Sequence, residues 1–222
     1  MNAEKVTEAI VILDGEIDRA FIDSQLSGYD KPLIICTDGA YLHVKALPHI
    51  LKKLNVVIGD FDSINKNEII DQHIDVIHNP DQDSTDFDKA LAYLYDQGIK
   101  KIIVYGASGL SSDHFLGNLS TALFWKDKLE LEFRDRYGVF FFIHSGIELK
   151  GIKDQKVSVI PFFEVNNIYY EGLQYPLNGE SLVFGKRIGT RNLAVSDSVI
   201  IRYDSGNVLV YVENKHYAKE RL

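Results

Sequence analysis

Gly59-Asp60-Phe61-Asp62-Ser63 and Pro80-Asp81-Gln82-Asp83-Ser84-Thr85-Asp86-Phe87-Asp88-Lys89-Ala90 crowd aspartates onto two short segments. Each follows an apolar, β-branched run: Val56-Val57-Ile58 before the first and Val76-Ile77 before the second. Such runs predict buried strands, and in a parallel α/β sheet the loops after the strands line the crevice where ligands bind. Carboxylates gathered there repel one another unless a cation or protons neutralise them. Hard oxygen ligands favour Mg²⁺, which completes its shell with water and substrate phosphates when only one or two carboxylates hold it. The two segments together predict a Mg²⁺–nucleotide site, although any one loop aspartate also serves turns and helix caps.

Outward from these segments the chain alternates strand and helix. Ala9–Leu13 reads as a strand closed by Asp14-Gly15, Arg19–Leu26 as a short helix and Pro32–Thr37 as a second buried strand. That strand runs into Asp38-Gly39-Ala40 and a helix over Tyr41–Leu47 that ends at Pro48. Gly39 permits close backbone approach to a ligand, and a helix N-terminus favours phosphate. Strands at Asn55–Ile58 and Asp75–His78 precede the acidic segments. Phe87, Ala90, Leu91 and Leu94 then recur at helical spacing, with Ser84 or Thr85 as cap and Gly98 beyond the end. Asp81, Asp83 and Asp86 lie before or at that cap and are free to face a ligand. Lys101–Tyr105 is the next strand. It runs through Gly106-Ala107-Ser108-Gly109-Leu110-Ser111-Ser112-Asp113-His114 into a helix with Leu116, Leu119 and Leu123 on one stripe. Small residues between a strand and a helix make a phosphate-sized cradle. Asp113 is either the cap of that helix or a functional carboxylate, and His114 either a packed polar residue or a catalyst. Trp125 reads as helix-face core.

Strand–helix alternation lasts to about residue 134. From Gly138 onward short β-rich pieces follow one another: Val139–Ile143, Lys156–Pro161, Asn167–Tyr170, Ser181–Phe184, Ser198–Arg202 and Asn207–Val212. Turn signals such as Asn178-Gly179 and Asp204-Ser205-Gly206 separate them. The expected architecture is an α/β domain over residues 1–137, with a mainly parallel, Rossmann-like sheet, and an all-β sandwich over 138–222.

Composition narrows the partners. The chain has 222 residues, 45% hydrophobic and 25% charged, and a formal net charge of −8. That balance argues against nucleic-acid and anionic-membrane surfaces, which need clustered Lys and Arg. The single cysteine, Cys36, excludes an intrachain disulfide. No apolar run approaches the roughly 20 residues needed to span a bilayer. The opening MNAEKVTEAI lacks the apolar core of a signal peptide. These features predict a cytoplasmic protein.

At this point five segments carry a resemblance to the thiamine pyrophosphokinases, enzymes that move a pyrophosphoryl group from ATP to thiamine. Thr37-Asp38-Gly39-Ala40 is similar to the family's ADGGA loop, Gly59–Ser63 to its GDFDS and Pro80–Ala90 to its DQDxTDxxKA. Gly106 to Asn118 resembles its GxxGGRxDHxxxN, and Gly172-Leu173-Gln174-Tyr175-Pro176-Leu177 its GLxYPL. The resemblance covers nearly the whole chain. It implies an N-terminal α/β domain and a C-terminal β-sandwich, working as a homodimer with sites between subunits. It implies Mg²⁺ held by Asp60, Asp62 and Asp86, with Asp86 and Asp113 as the catalytic carboxylates. Asp38, Gly39, Gln82, Thr85, Gly106, Gly109 and Ser111 would surround ATP, and Thr190, Asn192 and Asp113 would meet thiamine.

The chain departs from the family pattern in two places. Ser111 stands where the family has Arg, the fork-shaped cation expected beside transferring phosphates. Arg191 precedes Asn192 where the family has Ser, and it points either to solvent or to ATP. Two other functions fit part of the pattern. A Mg²⁺-dependent glycosyltransferase would use Asp60-Phe61-Asp62 as its D-x-D motif but leaves Asp81–Asp86 and Gly172–Leu177 unexplained. A sensor binding thiamine and nucleotide without chemistry would account for Ser111 but not for the retained carboxylates.

Overall fold

Runs of aliphatic and β-branched residues form the strands of the first of two units, Met1–Asp135 and Arg136–Leu222, in a computed structural model that describes residues 8–29, 32–69 and 73–215. Most of the N-terminal stretch read as lacking a leader lies outside the described residues. In the first unit β1 (Glu8–Ile12), β2 (Leu33–Thr37), β3 (Leu54–Gly59), β4 (Asp75–His78), β5 (Lys101–Tyr105) and β6 (Glu130–Arg134) lie in the order β4-β3-β2-β1-β5-β6. Every pair among them is parallel. The order reverses direction between β1 and β5, and the loops leaving the sheet there open a crevice at the carboxyl ends.

Helices cover the sheet. α1 (Arg19–Leu26) is capped by Asp18, whose carboxylate accepts the Phe21 N–H. The expected single helix over Tyr41–Leu47 is two short ones, α2 (Tyr41–Lys45) and α3 (Pro48–Leu51). Pro48 starts the second rather than closing the first, because its fixed φ and missing N–H suit a first helical position. α4 (Asp86–Asp96) follows the predicted spacing, with Phe87, Ala90, Leu91 and Leu94 buried and Thr85 capping it through the Asp88 N–H. Each such fully buried Leu contributes about 1.5–3 kcal/mol.

α5 (Ser112–Trp125) corrects the expected stripe. Its buried residues are Leu119, Ala122 and Trp125, while Leu116 is 66% exposed. Asp113, His114, Gly117 and Asn118 turn toward the crevice, so position 116 points away from it. Trp125 is core, and its indole N–H donates to Asp88 at 2.6 Å.

The second unit is built on antiparallel strands: β7 (Gly138–Ile143), β8 (Gly146–Lys150), β9 (Lys156–Glu171), β10 (Asn178–Val183), β11 (Gly189–Leu193), β12 (Ser198–Arg202) and β13 (Ser205–Glu213). Two pieces expected as separate strands, 156–161 and 167–170, are one 16-residue strand, β9. It pairs with β13 and β12 along one edge and with β11 and β10 along the other. Phe163 and Asn167 take positive φ within it, and the buried positions pass from Val157, Val159 and Val165 to Ile168 and Tyr170. Such irregularities re-aim side chains, and they break the alternation from which one long strand would be read. β8 and β11 were not anticipated. Asn178-Gly179, read as a turn, opens β10 instead.

Candidate functional site

The crevice is a cavity of about 360 Å³, lined by the ends of β1, β2, β3 and β5 and the first turns of α4 and α5. Its walls meet closely enough to exclude side chains. A Cβ on Gly106, whose φ is +68°, would lie 2.2 Å from the Leu13 carbonyl oxygen, so glycine is required where the β1 and β5 loops run together.

Parallel pairing of β2 with β3 sets Thr37 opposite Ile58, which brings the Asp38 side chain against the Gly59–Asp62 loop. Asp38 is 1% exposed. Its carboxylate accepts the N–H of Gly39 and of Phe61, each at 2.7 Å. Burial and the neighbouring Asp86 charge nonetheless push its pKa up to about 6. One carboxylate oxygen from each of Asp38, Asp60 and Asp62 lies within 4.8 Å of the others. These are hard oxygen donors whose negative charge Lys89 offsets only in part, a set that fits Mg²⁺.

The other predicted residues fall around this centre. Asp60 accepts the Asp62 N–H at 3.1 Å and the Gln82 amide at 2.8 Å; those bonds, with the Lys89 charge, hold its carboxyl below the usual range. Gln82 reaches the site through Asp60 and does not itself line the cavity. Asp86 stands beside Asp38 and pairs with Lys89 at 2.9 Å. Thr85, Gly39, Gly106 and Gly109 line the cavity. Asp113 lines it too, one position inside α5, so it is not the cap; Ser111 occupies that position and makes no capping hydrogen bond. Ser111 donates to Asp113 instead, which with the His114 N–H keeps that carboxyl below its ordinary pKa. Asp81 and Asp83 are exposed outside the cavity, and Asp81 takes the Ser84 hydroxyl.

Asn192 and Thr190 lie on β11 in the second unit. Asn192 is 6% exposed, and its amide is spent on Tyr175, accepting the N–H at 3.0 Å and donating to the carbonyl at 2.8 Å. Thr190 and Arg191 are exposed, and Arg191 has φ +55°.

Sequence reasoning missed Asp14 and Lys89. Asp14 lines the cavity and pairs with His43 at 3.1 Å. Lys89 lies off the Phe87–Ala90–Leu91–Leu94 stripe of α4, where a polar residue is expected, so the helical pattern did not mark it; its i, i+3 spacing from Asp86 was the available signal.

Fold and site define an α/β protein with an acidic crevice at the carboxyl ends of a parallel sheet, followed by a β-rich unit. Two family models match: "Thiamin pyrophosphokinase, catalytic domain" over residues 27–133 and "Thiamin pyrophosphokinase, vitamin B1 binding domain" over 145–208. The chain belongs to the thiamin pyrophosphokinase family. It is 27% identical over 201 residues to thiamin pyrophosphokinase 1 of Caenorhabditis elegans, covering 85% of this chain and 82% of that protein. The fold is similar to the crystal structure of thiamine pyrophosphokinase from Bacillus subtilis, with TM-score 0.76 at 22% identity, covering 93% and 99% of the two chains. It is likewise similar to yeast thiamin pyrophosphokinase, with TM-score 0.79 at 17% identity, covering 96% and 87%.

Proposed function

We propose that this chain transfers the pyrophosphoryl group of ATP to the hydroxyl of thiamine, giving thiamine diphosphate and AMP. Family membership supports the reaction. The observation that carries it to this chain is the clustering of Asp38, Asp60 and Asp62, with Asp86 beside Asp38, at a crevice of about 360 Å³. Residues 1–137 form the nucleotide- and Mg²⁺-binding domain, read as Rossmann-like, and 138–222 the thiamine-recognition domain, read as a sandwich.

Asp60, Asp62 and Asp86, joined by Asp38, would hold Mg²⁺, which when bound neutralises triphosphate charge. The small residues around Gly106 and Gly109, with Gly39 and Thr85, bring backbone close to the phosphates, while Ser111 and Gln82 hold the carboxylates in place. The thiamine hydroxyl attacks the β-phosphorus. The new O–P bond forms as the bond from that phosphorus to the bridging oxygen of AMP breaks. Asp86 and Asp113 are the carboxylates that orient the thiamine and accept its hydroxyl proton, with Ser111 and His114 fixing Asp113 in place. Asn192 acts on thiamine through the Tyr175 segment that it braces, with Thr190 beside it.

A homodimer with sites between subunits suits the apolar surface that Phe163, Tyr175 and Phe184 expose. No helix among the described residues is long and apolar enough to cross a membrane, and the buried lone Cys36 suits a cytoplasmic setting.

The test is AMP release from Mg·ATP and thiamine, with and without EDTA. Metal-dependent AMP matched by thiamine diphosphate supports the assignment. ADP in place of AMP would mean that a different bond breaks, and thiamine binding without product would leave a sensor.

A further inference from the structure

We infer, resting on the site reading above, that Lys89 is a positioning residue: the internal counter-ion that holds Asp86 and Asp60 in register rather than a contact to the phosphates. Its side chain is 2% exposed, on the side of α4 that carries Asp86 rather than on the apolar stripe of Phe87, Ala90, Leu91 and Leu94. A buried ammonium is stable only when paired, so its partners define its role. They are Asp86 at 2.9 Å, one helical turn back, and Asp60 at 3.8 Å on the β3 loop. The Asp60 oxygen that faces Lys89 also accepts the Gln82 amide, so Lys89 and Gln82 together anchor one side of that carboxylate. The other oxygen stays toward Asp62.

The charge balance of the crevice gives this pairing its importance. Asp14, Asp38, Asp60, Asp86 and Asp113 line the cavity, and Lys89 is the one Lys or Arg among the lining residues described. Ser111, at the start of α5, brings no charge and is engaged with Asp113. Lys89 therefore has two tasks that conflict with reaching a phosphate. It cancels part of the repulsion that Asp38 registers, and it links α4 to the β3 loop through two carboxylates. With it gone, the carboxylates attract a cation more strongly but lose their fixed spacing, which catalysis by positioning cannot tolerate.

The experiment compares Lys89→Met, which keeps the length of the stem, with Lys89→Arg. It reads Mn²⁺ affinity of the nucleotide-free protein by paramagnetic resonance, alongside kcat and KM for Mg·ATP. Lys89→Met is expected to bind Mn²⁺ about tenfold more tightly, since a like charge beside the ligands has gone. Its kcat falls at least about a hundredfold, and Lys89→Arg restores both. Unchanged Mn²⁺ affinity in Lys89→Met, with kcat kept and KM for Mg·ATP raised, would make Lys89 a phosphate contact and overturn the inference. Should Lys89→Met fail to fold, Lys89→Arg decides alone. Wild-type kcat and KM then support the counter-ion, and a raised KM at wild-type kcat overturns it. Absence of transfer by the wild-type protein would refute the proposed function while the Mn²⁺ titration still judges Lys89.

Discussion

Asp38 ties the loop after β2 to the loop after β3: its Oδ2 accepts the Phe61 N–H at 2.7 Å. Phe61 takes φ +63°, a left-handed conformation that a bulky residue adopts only when its surroundings hold it. The clamp leaves no room beside it. A Cβ on Gly59 would lie 2.5 Å from the Asp38 carboxyl carbon. Gly59→Ala is expected to cost about 1–3 kcal/mol and to loosen the carboxylate trio. Thermal melts and a Mg²⁺ titration measure both effects; a variant that matches wild type in both would show that the clamp yields without consequence.

Asp62 is exposed, and among the described residues its bonds are to its chain neighbours Ser63 and Asp60. Asp62→Asn should therefore fold normally while pyrophosphoryl transfer falls at least about a hundredfold. Circular dichroism checks the fold and AMP release the activity. Turnover near wild type would remove Asp62 from the site.

The raised pKa of Asp38, about 6, makes metal-free stability depend on pH. Its ordinary value is near 4, so between about pH 4 and pH 6 the folded state holds more protons than the unfolded. This group's contribution is complete below that window and is lost as pH rises through it, by up to about 3 kcal/mol at about 1.4 kcal/mol per unit. Urea melts in EDTA at successive pH values should show the loss, relative to Asp38→Asn, and Mg²⁺ should restore it. Equal pH slopes for wild type and Asp38→Asn would trace the dependence to other groups.

Ser111 has ordinary extended dihedrals, φ −105° and ψ 123°, so Arg fits its backbone without strain. Ser111→Arg supplies the fork-shaped cation of the family pattern and is expected to lower KM for Mg·ATP about threefold to tenfold. Steady-state kinetics measure it, and a raised KM would mean that the Ser111–Asp113 bond matters more than the missing charge.

Local patterns in the chain determined most of the first unit. Apolar β-branched runs marked β1 to β5, and the spacing of Phe87, Ala90, Leu91 and Leu94 marked α4 with Thr85 at its cap. The density of aspartate before and after those elements pointed to a cation site, because gathered carboxylates repel one another unless a cation or protons neutralise them. Tertiary structure decided which of them meet. Asp38 joins Asp60 and Asp62 because parallel strands put the ends of β2 and β3 side by side, and no spacing along the chain encodes that neighbour. Lys89 reads as an ordinary polar helix residue until folding buries it and brings Asp60 to it. Leu116 is exposed and β9 runs unbroken because burial is set by what packs against an element and by bulges that shift its phase. Periodicity along the chain records which residues prefer to be inside, whereas contacts between distant segments fix which charges share one site.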